Sequence, residues 1–264
     1  MVIAAGSGYR WGVDELSDDL LLLTARPDGT LAISSKLRFG LSGAELVRLA
    51  AARRVDIVRG RIVILDTAPT GDPLLDEALA SMTGGRRGPT AKAWVARTRR
   101  GLVERYLARA EAAGTVRAEP GLRLGFIPVT RWLVVDIARA AQARARLEAI
   151  AAGNGAVSPD QAALAGLATA TDVASVVFPG WGGAAARKRL RQAARREPAT
   201  ADVTRAVGSA ADASAAAASA AASAAMEAAV NAATQAAISA AVDAATQAAV
   251  SAATDAAAGG GHHH

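Results

Sequence analysis

The chain has no cysteine, which excludes disulfides, thiolate metal sites and thiol nucleophiles together. Histidine occurs only as His262, His263 and His264, after a glycine run, and these are assigned no site. The body therefore lacks the commonest general base and metal ligand. Aromatic residues are 3% of the chain while hydrophobic residues are 52%, so the core must be built from Leu, Val, Ile and Ala. That composition suits close-packed helices. Lysine is scarce as well, occurring only at Lys36, Lys92 and Lys188. There is neither a phosphate-cradling glycine loop nor a serine elbow. Outside an alanine-rich tail no run of about 18 strongly apolar residues occurs, and the first residues lack the pattern of a secretion signal. The expectation is a cytoplasmic protein that is not an enzyme and has no cofactor or metal.

What is abundant is arginine. The chain holds 30 Lys and Arg against 24 Asp and Glu. All the basic groups lie in residues 1–205, while Asp212, Glu227, Asp243 and Asp255 lie beyond them. A planar guanidinium suits phosphate, so a phosphate-bearing surface is the partner this balance favours. An Arg-for-Lys genome bias would explain the choice of residue but not the sign of the total.

Along the chain, residues 1–13 read as a leader and Leu16–Ala25 as a deep apolar segment. A helix is expected over Gly40–Arg53, then a hairpin from Val55–Val58 and Arg61–Leu65 turning at Gly60. Thr70–Leu79 reads as a capped helix start. Asp72 can accept from the first free N–H groups, Pro73 fits the first helical position, and Asp76 and Glu77 face the positive helix end. A basic loop, Arg86–Pro89, leads to one long helix over Thr90–Ala113, stopped at Gly114. A second, short hairpin is expected over Val116–Ile127, turning at Glu119-Pro120-Gly121. Helices are expected at Val135–Ala151, Pro159–Val177 and Ala184–Arg196. The four Trp are scattered, and core or interface packing is their default reading. From Ala224 the alanine-rich segment repeats in fours, either a long helix or a solvated low-complexity tail.

Three basic groupings are candidates for chemistry. Arg97, Arg99 and Arg100 crowd the start of the long helix, Arg97 and Arg100 sharing a side with the Lys92/Ala93 turn, against the plainer reading of a solvated face. Lys36-Leu37-Arg38-Phe39 alternates charge with bulk. In a loop, Lys36 and Arg38 would hold lipid phosphates while Leu37 and Phe39 insert beneath them; a core strand with exposed alternates is the rival. Arg187-Lys188-Arg189-Leu190-Arg191, with Arg195-Arg196, reads as a helix surface. The paired carboxylates Asp18-Asp19 and Asp72…Asp76-Glu77 read as caps.

The stretch Asp66-Thr67-Ala68-Pro69-Thr70-Gly71-Asp72-Pro73-Leu74-Leu75-Asp76-Glu77-Ala78-Leu79 resembles the Golgi phosphoprotein 3 (GPP34) family. So do Leu16-Ser17-Asp18-Asp19-Leu20 and Gly40-Leu41-Ser42-Gly43-Ala44-Glu45-Leu46. The likeness runs from Leu16 to Ala206 and looks like a bacterial, actinobacterial-type member. It implies a mainly α, compact multi-helix domain (residues 14–206) with small β-hairpins, followed by an alanine-rich helical or disordered tail (207–264). Eukaryotic members bind phosphatidylinositol 4-phosphate on Golgi membranes and sort glycosyltransferases by their cytosolic tails. The headgroup site in those proteins uses a Trp and three Arg. At the matching positions this chain has Ile33, Ser42, Arg100 and Val103, so only Arg100 is retained. The family's hairpin also mediates homo-oligomers.

The resulting expectation is a peripheral protein on the cytoplasmic side of a membrane. It would bind anionic phospholipid through arginine, with Arg97, Arg99, Arg100, Lys36 and Arg38 on headgroups and Leu37 and Phe39 inserted. One rival is a winged-helix-like nucleic-acid binder, which lacks a visible short helix pair before its hairpin. The other is a scaffold acting through the tail.

Overall fold

A computed structural model describes residues 15–83, 88–123, 127–153, 155–196 and 198–259. The expected leader, both arginines of the basic loop and the three histidines lie outside the described residues. The chain divides into two units, 1–213 and 214–264.

The first unit is built around one helix. Helix α1 spans Leu16–Leu22 and α2 spans Leu37–Ala51. Twelve of the fifteen α2 residues are buried, so this helix is covered on every side rather than amphipathic. It touches α1, the first hairpin and the helices α3 (Pro73–Ala80), α4 (Ala91–Arg97), α5 (Leu102–Ala112) and α7 (Pro159–Ala170). Gly43 makes close approach possible: a Cβ there would lie 2.5 Å from Val207 and 2.7 Å from Leu167.

Local sequence chemistry explains most element boundaries. The first hairpin pairs β1 (Val55–Val58) with β2 (Arg61–Ile64), and Arg59 and Gly60 both take positive φ, as a two-residue primed turn demands. Asp72 caps α3 by accepting from the Leu74 N–H at 2.9 Å, with Pro73 at the first position. Ser158 and Gln161 close a capping box on α7.

Three expectations are corrected. The single helix over Thr90–Ala113 is two, α4 and α5, because Thr98 leaves helical geometry (φ 13°, ψ 123°) and Gly101 is left-handed at φ 72°. Likewise Pro159–Val177 breaks at Asp172 (φ 61°) into α7 and α8 (Val173–Val177). The second hairpin is longer than foreseen, β3 (Val116–Arg123) against β4 (Ile127–Val134), with Pro120 opposite Thr130 inside the ladder rather than at a turn. Helices α6 (Ile137–Ala152) and α9 (Ala184–Ala194) complete the domain with the start of α10 (Pro198–Gly259), whose Val203, Val207 and Ala211 are buried. The molecule is thus mainly α with two small antiparallel hairpins.

In the second unit the alanine-rich segment is helical to Gly259, with Met226 and Val230 exposed. The stretch Ala201–Ala232 is long and apolar enough to cross a membrane, by length and composition alone.

Candidate functional site

Two charged residues on the central helix organise the site from within. Glu45 is fully buried and accepts from Arg99 Nη2 at 2.6 Å and from the Tyr106 hydroxyl at 3.2 Å. Ser17 in turn donates to Tyr106 Oη at 3.3 Å. Burial pushes the Glu45 carboxyl up to about 7, and Arg99, Tyr106 and Arg48 only partly oppose it. One reason is visible: Glu45 Oε2 has no hydrogen-bond partner among the described residues.

Three residues along, one turn of helix, Arg48 pairs with Asp72 at 2.9 Å. Asp72 also takes Arg109 at 3.1 Å, and Arg109 reaches Asp18 at 2.5 Å. Burial raises the Asp72 carboxyl, but Arg48, the Leu74 N–H and Arg109 outweigh it and hold the group below its usual range. The carboxylates read as caps are therefore ion-pair partners too. Asp19 holds Arg146 at 2.6 Å and Arg139 at 3.2 Å. Among the described residues no cluster of acids or histidines is arranged to hold a metal.

The predicted headgroup residues divide sharply. Arg99 is not a surface group: it is held in the α4–α5 break by Glu45 and the Leu74 carbonyl, at 3.2 Å. Anchoring Arg99 leaves its neighbours Arg97 and Arg100 exposed on either side, with no ion pair among the described residues. The Lys36–Phe39 insertion loop is corrected outright. Leu37 opens α2 at 0% exposure and Phe39 is 2% exposed, so both are core residues that have no surface to give a membrane. Lys36 is spent on Asp172 at 2.6 Å, while Arg38 stacks over the Phe39 ring at 4.6 Å.

The structure adds cations the sequence did not join. The Ile62 N–H donates to the Pro89 carbonyl, and the Ala91 N–H donates to the Gly60 carbonyl. These bonds seat the β1–β2 turn against the start of α4. Exposed Arg59 and Arg61 on that turn thereby neighbour exposed Lys92. Only this non-local pairing brings them together, and nothing in the local sequence signals it. Arg105 and Arg109, by contrast, are taken by Glu77 and by Asp18 and Asp72.

The four aligned headgroup positions do not form a polar pocket. Ile33 is half-exposed, Ser42 is buried on α2, Val103 packs against the core, and Arg100 alone stands in solvent. A model of the Golgi phosphoprotein 3 (GPP34) family matches residues 16–259. The chain belongs to that family. The match takes in the alanine-rich segment, which the resemblance noted above stopped short of. Curated proteins yield no match. As a GPP34 protein the chain carries an association with membranes and lipid at the level of its family.

The α4–α5 break also creates the short helix pair before a hairpin that was missing from the nucleic-acid rival. The exposed side of α5, however, presents Glu104 and Glu111, and its Arg105 is already paired. Those carboxylates would meet backbone phosphate as like charges.

Proposed function

We propose that this GPP34 protein is a peripheral, cytoplasmic-side binder of anionic phospholipid, attaching through the basic surface of α4 and the adjoining hairpin turn. The observation that carries the reading is the pair Arg97 and Arg100, exposed on both sides of a break whose middle residue, Arg99, is tied into the core. Arg59, Arg61 and Lys92 add three exposed cations at the start of α4. Each basic group near an anionic leaflet contributes roughly 1 kcal/mol, so five give reversible, salt-sensitive attachment.

Selective recognition of phosphatidylinositol 4-phosphate is not part of the reading, since Ile33, Ser42 and Val103 stand where the family's headgroup residues would be. Phosphatidylinositol and cardiolipin, as available in an actinobacterial-type cell, are the lipids it fits.

Flotation with neutral vesicles, and with vesicles carrying phosphatidylinositol, its 4-phosphate or cardiolipin, tests this. Binding is expected only with anionic lipid, weaker at high salt, and reduced on the order of 30-fold in Arg97→Glu/Arg100→Glu. Equal flotation of wild type and variant would remove the site. No flotation on any lipid would remove the membrane reading.

A further inference from the structure

Among the described residues of the first unit, the most exposed large apolar side chain lies far along the chain from α4. Trp181 is 97% exposed, on the loop between α8 and α9. Its loop is built rather than slack. Arg187 donates to the carbonyls of Phe178 and of Gly180, the latter at 3.0 Å, and so ties the loop to α9. The Trp181 carbonyl accepts the Ala184 N–H at 3.0 Å, starting that helix. Gly180 takes φ 64°, and a Cβ on Gly183 would lie 2.2 Å from the Phe178 oxygen, so the glycines are there for shape. The fold fixes the backbone that presents this indole to solvent.

Charge follows in a definite order. Residues 173–186 contain no charged side chain, and residues 187–196 contain six basic ones and no acid. On α9 the buried side is Leu190, Ala193 and Ala194, while Lys188, Arg191 and Arg195 share the exposed side at i, i+3 and i+7. That stripe runs about 10 Å along the helix. None of its three cations has an ion pair among the described residues. Arg191 and Arg195 also line a groove of about 620 Å³ with Thr169, Thr204, Arg205 and Asp212. Arg205 is paired with Asp202 at 2.5 Å, leaving Asp212 as the acid of that groove.

A neutral tip presenting a Trp from a tied-down backbone, followed within two turns by a band of cations, is the layering of an interfacial anchor. Indole settles at headgroup depth and the basic band meets the phosphates. A nucleic-acid surface would instead surround the aromatic with charge. We infer that the α8–α9 loop and the exposed side of α9 form a second lipid-contacting surface, with Trp181 entering the headgroup layer of an anionic bilayer and Lys188, Arg191 and Arg195 holding its phosphates. This rests on the lipid-binding reading above, and the test separates the two.

Because the chain has no cysteine, Trp181→Cys gives a single attachment point for an environment-sensitive fluorophore on the full-length protein. Arg97→Cys, labelled the same way, reports on α4. The probes are vesicles of phosphatidylcholine alone or with 30% phosphatidylglycerol, and a DNA duplex. The position-181 label is expected to brighten and shift blue only on the anionic vesicles, and high salt should reverse it. Lys188→Glu/Arg191→Glu/Arg195→Glu should weaken that response on the order of 100-fold. A response at 181 with none at 97 would support this surface and move the lipid contact away from α4. A response at 97 with none at 181 would overturn this inference and leave the proposed function standing. Silence at both positions would overturn both. A response at 181 to DNA but not to vesicles would overturn it in favour of nucleic acid.

Discussion

Replacing Glu45 by Gln is expected to stabilise the protein at pH 8, although it removes one partner of a 2.6 Å ion pair. The carboxyl sits at about 7 in the folded chain against 4.5 in the unfolded one, with burial as the leading cause. Between those values the folded state binds the extra proton. The contribution of this group is therefore full below pH 4.5 and is lost as pH rises through 7. A span of about 2.5 in pH at roughly 1.4 kcal/mol each puts the loss on the order of 3 kcal/mol. Glutamine mimics the protonated acid, so the variant should match wild type below pH 4.5, lead it by about 1 kcal/mol at pH 5 and exceed it by the full amount at pH 8. Arg99 stays charged and keeps the Leu74 carbonyl in both proteins. The acids held low, Asp72, Asp76 and Glu77, titrate below this window. Urea midpoints of both proteins at half-unit steps from pH 5 to 8 measure the effect. A wild type that gains stability over that range, with a variant weaker at pH 8, would show that the Arg99 pair outweighs burial and would refute the reasoning.

Other substitutions test the packing and the caps. Asp72→Asn keeps an oxygen for the Leu74 N–H but removes the charge shared by Arg48 and Arg109; with Arg48 only 5% exposed, a loss of about 3 kcal/mol in chemical denaturation is expected. A loss near 1 kcal/mol would mean that only the cap matters. Gly43→Ala should lose about 1–3 kcal/mol despite alanine's better helix propensity, because Val207 and Leu167 occupy the space; a gain in thermal stability would contradict that contact. Trp181→Ala should change folding stability by less than about 0.5 kcal/mol, since the side chain touches almost nothing.

What could be read from the sequence was what is written locally. Asp72-Pro73 marks a helix start by its own hydrogen-bonding chemistry, and the structure places it there. Gly60 likewise marked a turn. Gly101 carries a comparable signal, left-handed at the start of α5, which the expectation of one long helix passed over. The break, and with it the burial of Arg99, was therefore missed. Lys36–Phe39 failed for a different reason: the alternation is real, with Leu37 and Phe39 buried and Arg38 exposed, but it belongs to the start of a core helix rather than to a loop. Of the two default readings for tryptophan, core packing fits Trp94, whose indole N–H donates to Ser81 Oγ at 3.0 Å, and only the interface reading is left for Trp181. Arg59 and Arg61 joined Lys92 only through backbone pairing 30 residues apart in sequence, which no local pattern encodes.

The β3–β4 hairpin has a consequence for how copies of this chain can meet. On the outer edge of β3 the Ala118 N–H is already taken by Glu111 Oε1 at 3.1 Å, and Pro120, next in line, has no N–H to offer. On the outer edge of β4 the Trp132 carbonyl accepts the Leu31 N–H, and the Val134 N–H donates to the Gly29 carbonyl. Both rims of the ribbon are stoppered along its base, so another chain cannot extend it by adding a strand there. At that base, contact between copies is left to side chains, and stacking of ribbons into a continuous sheet is barred at its root.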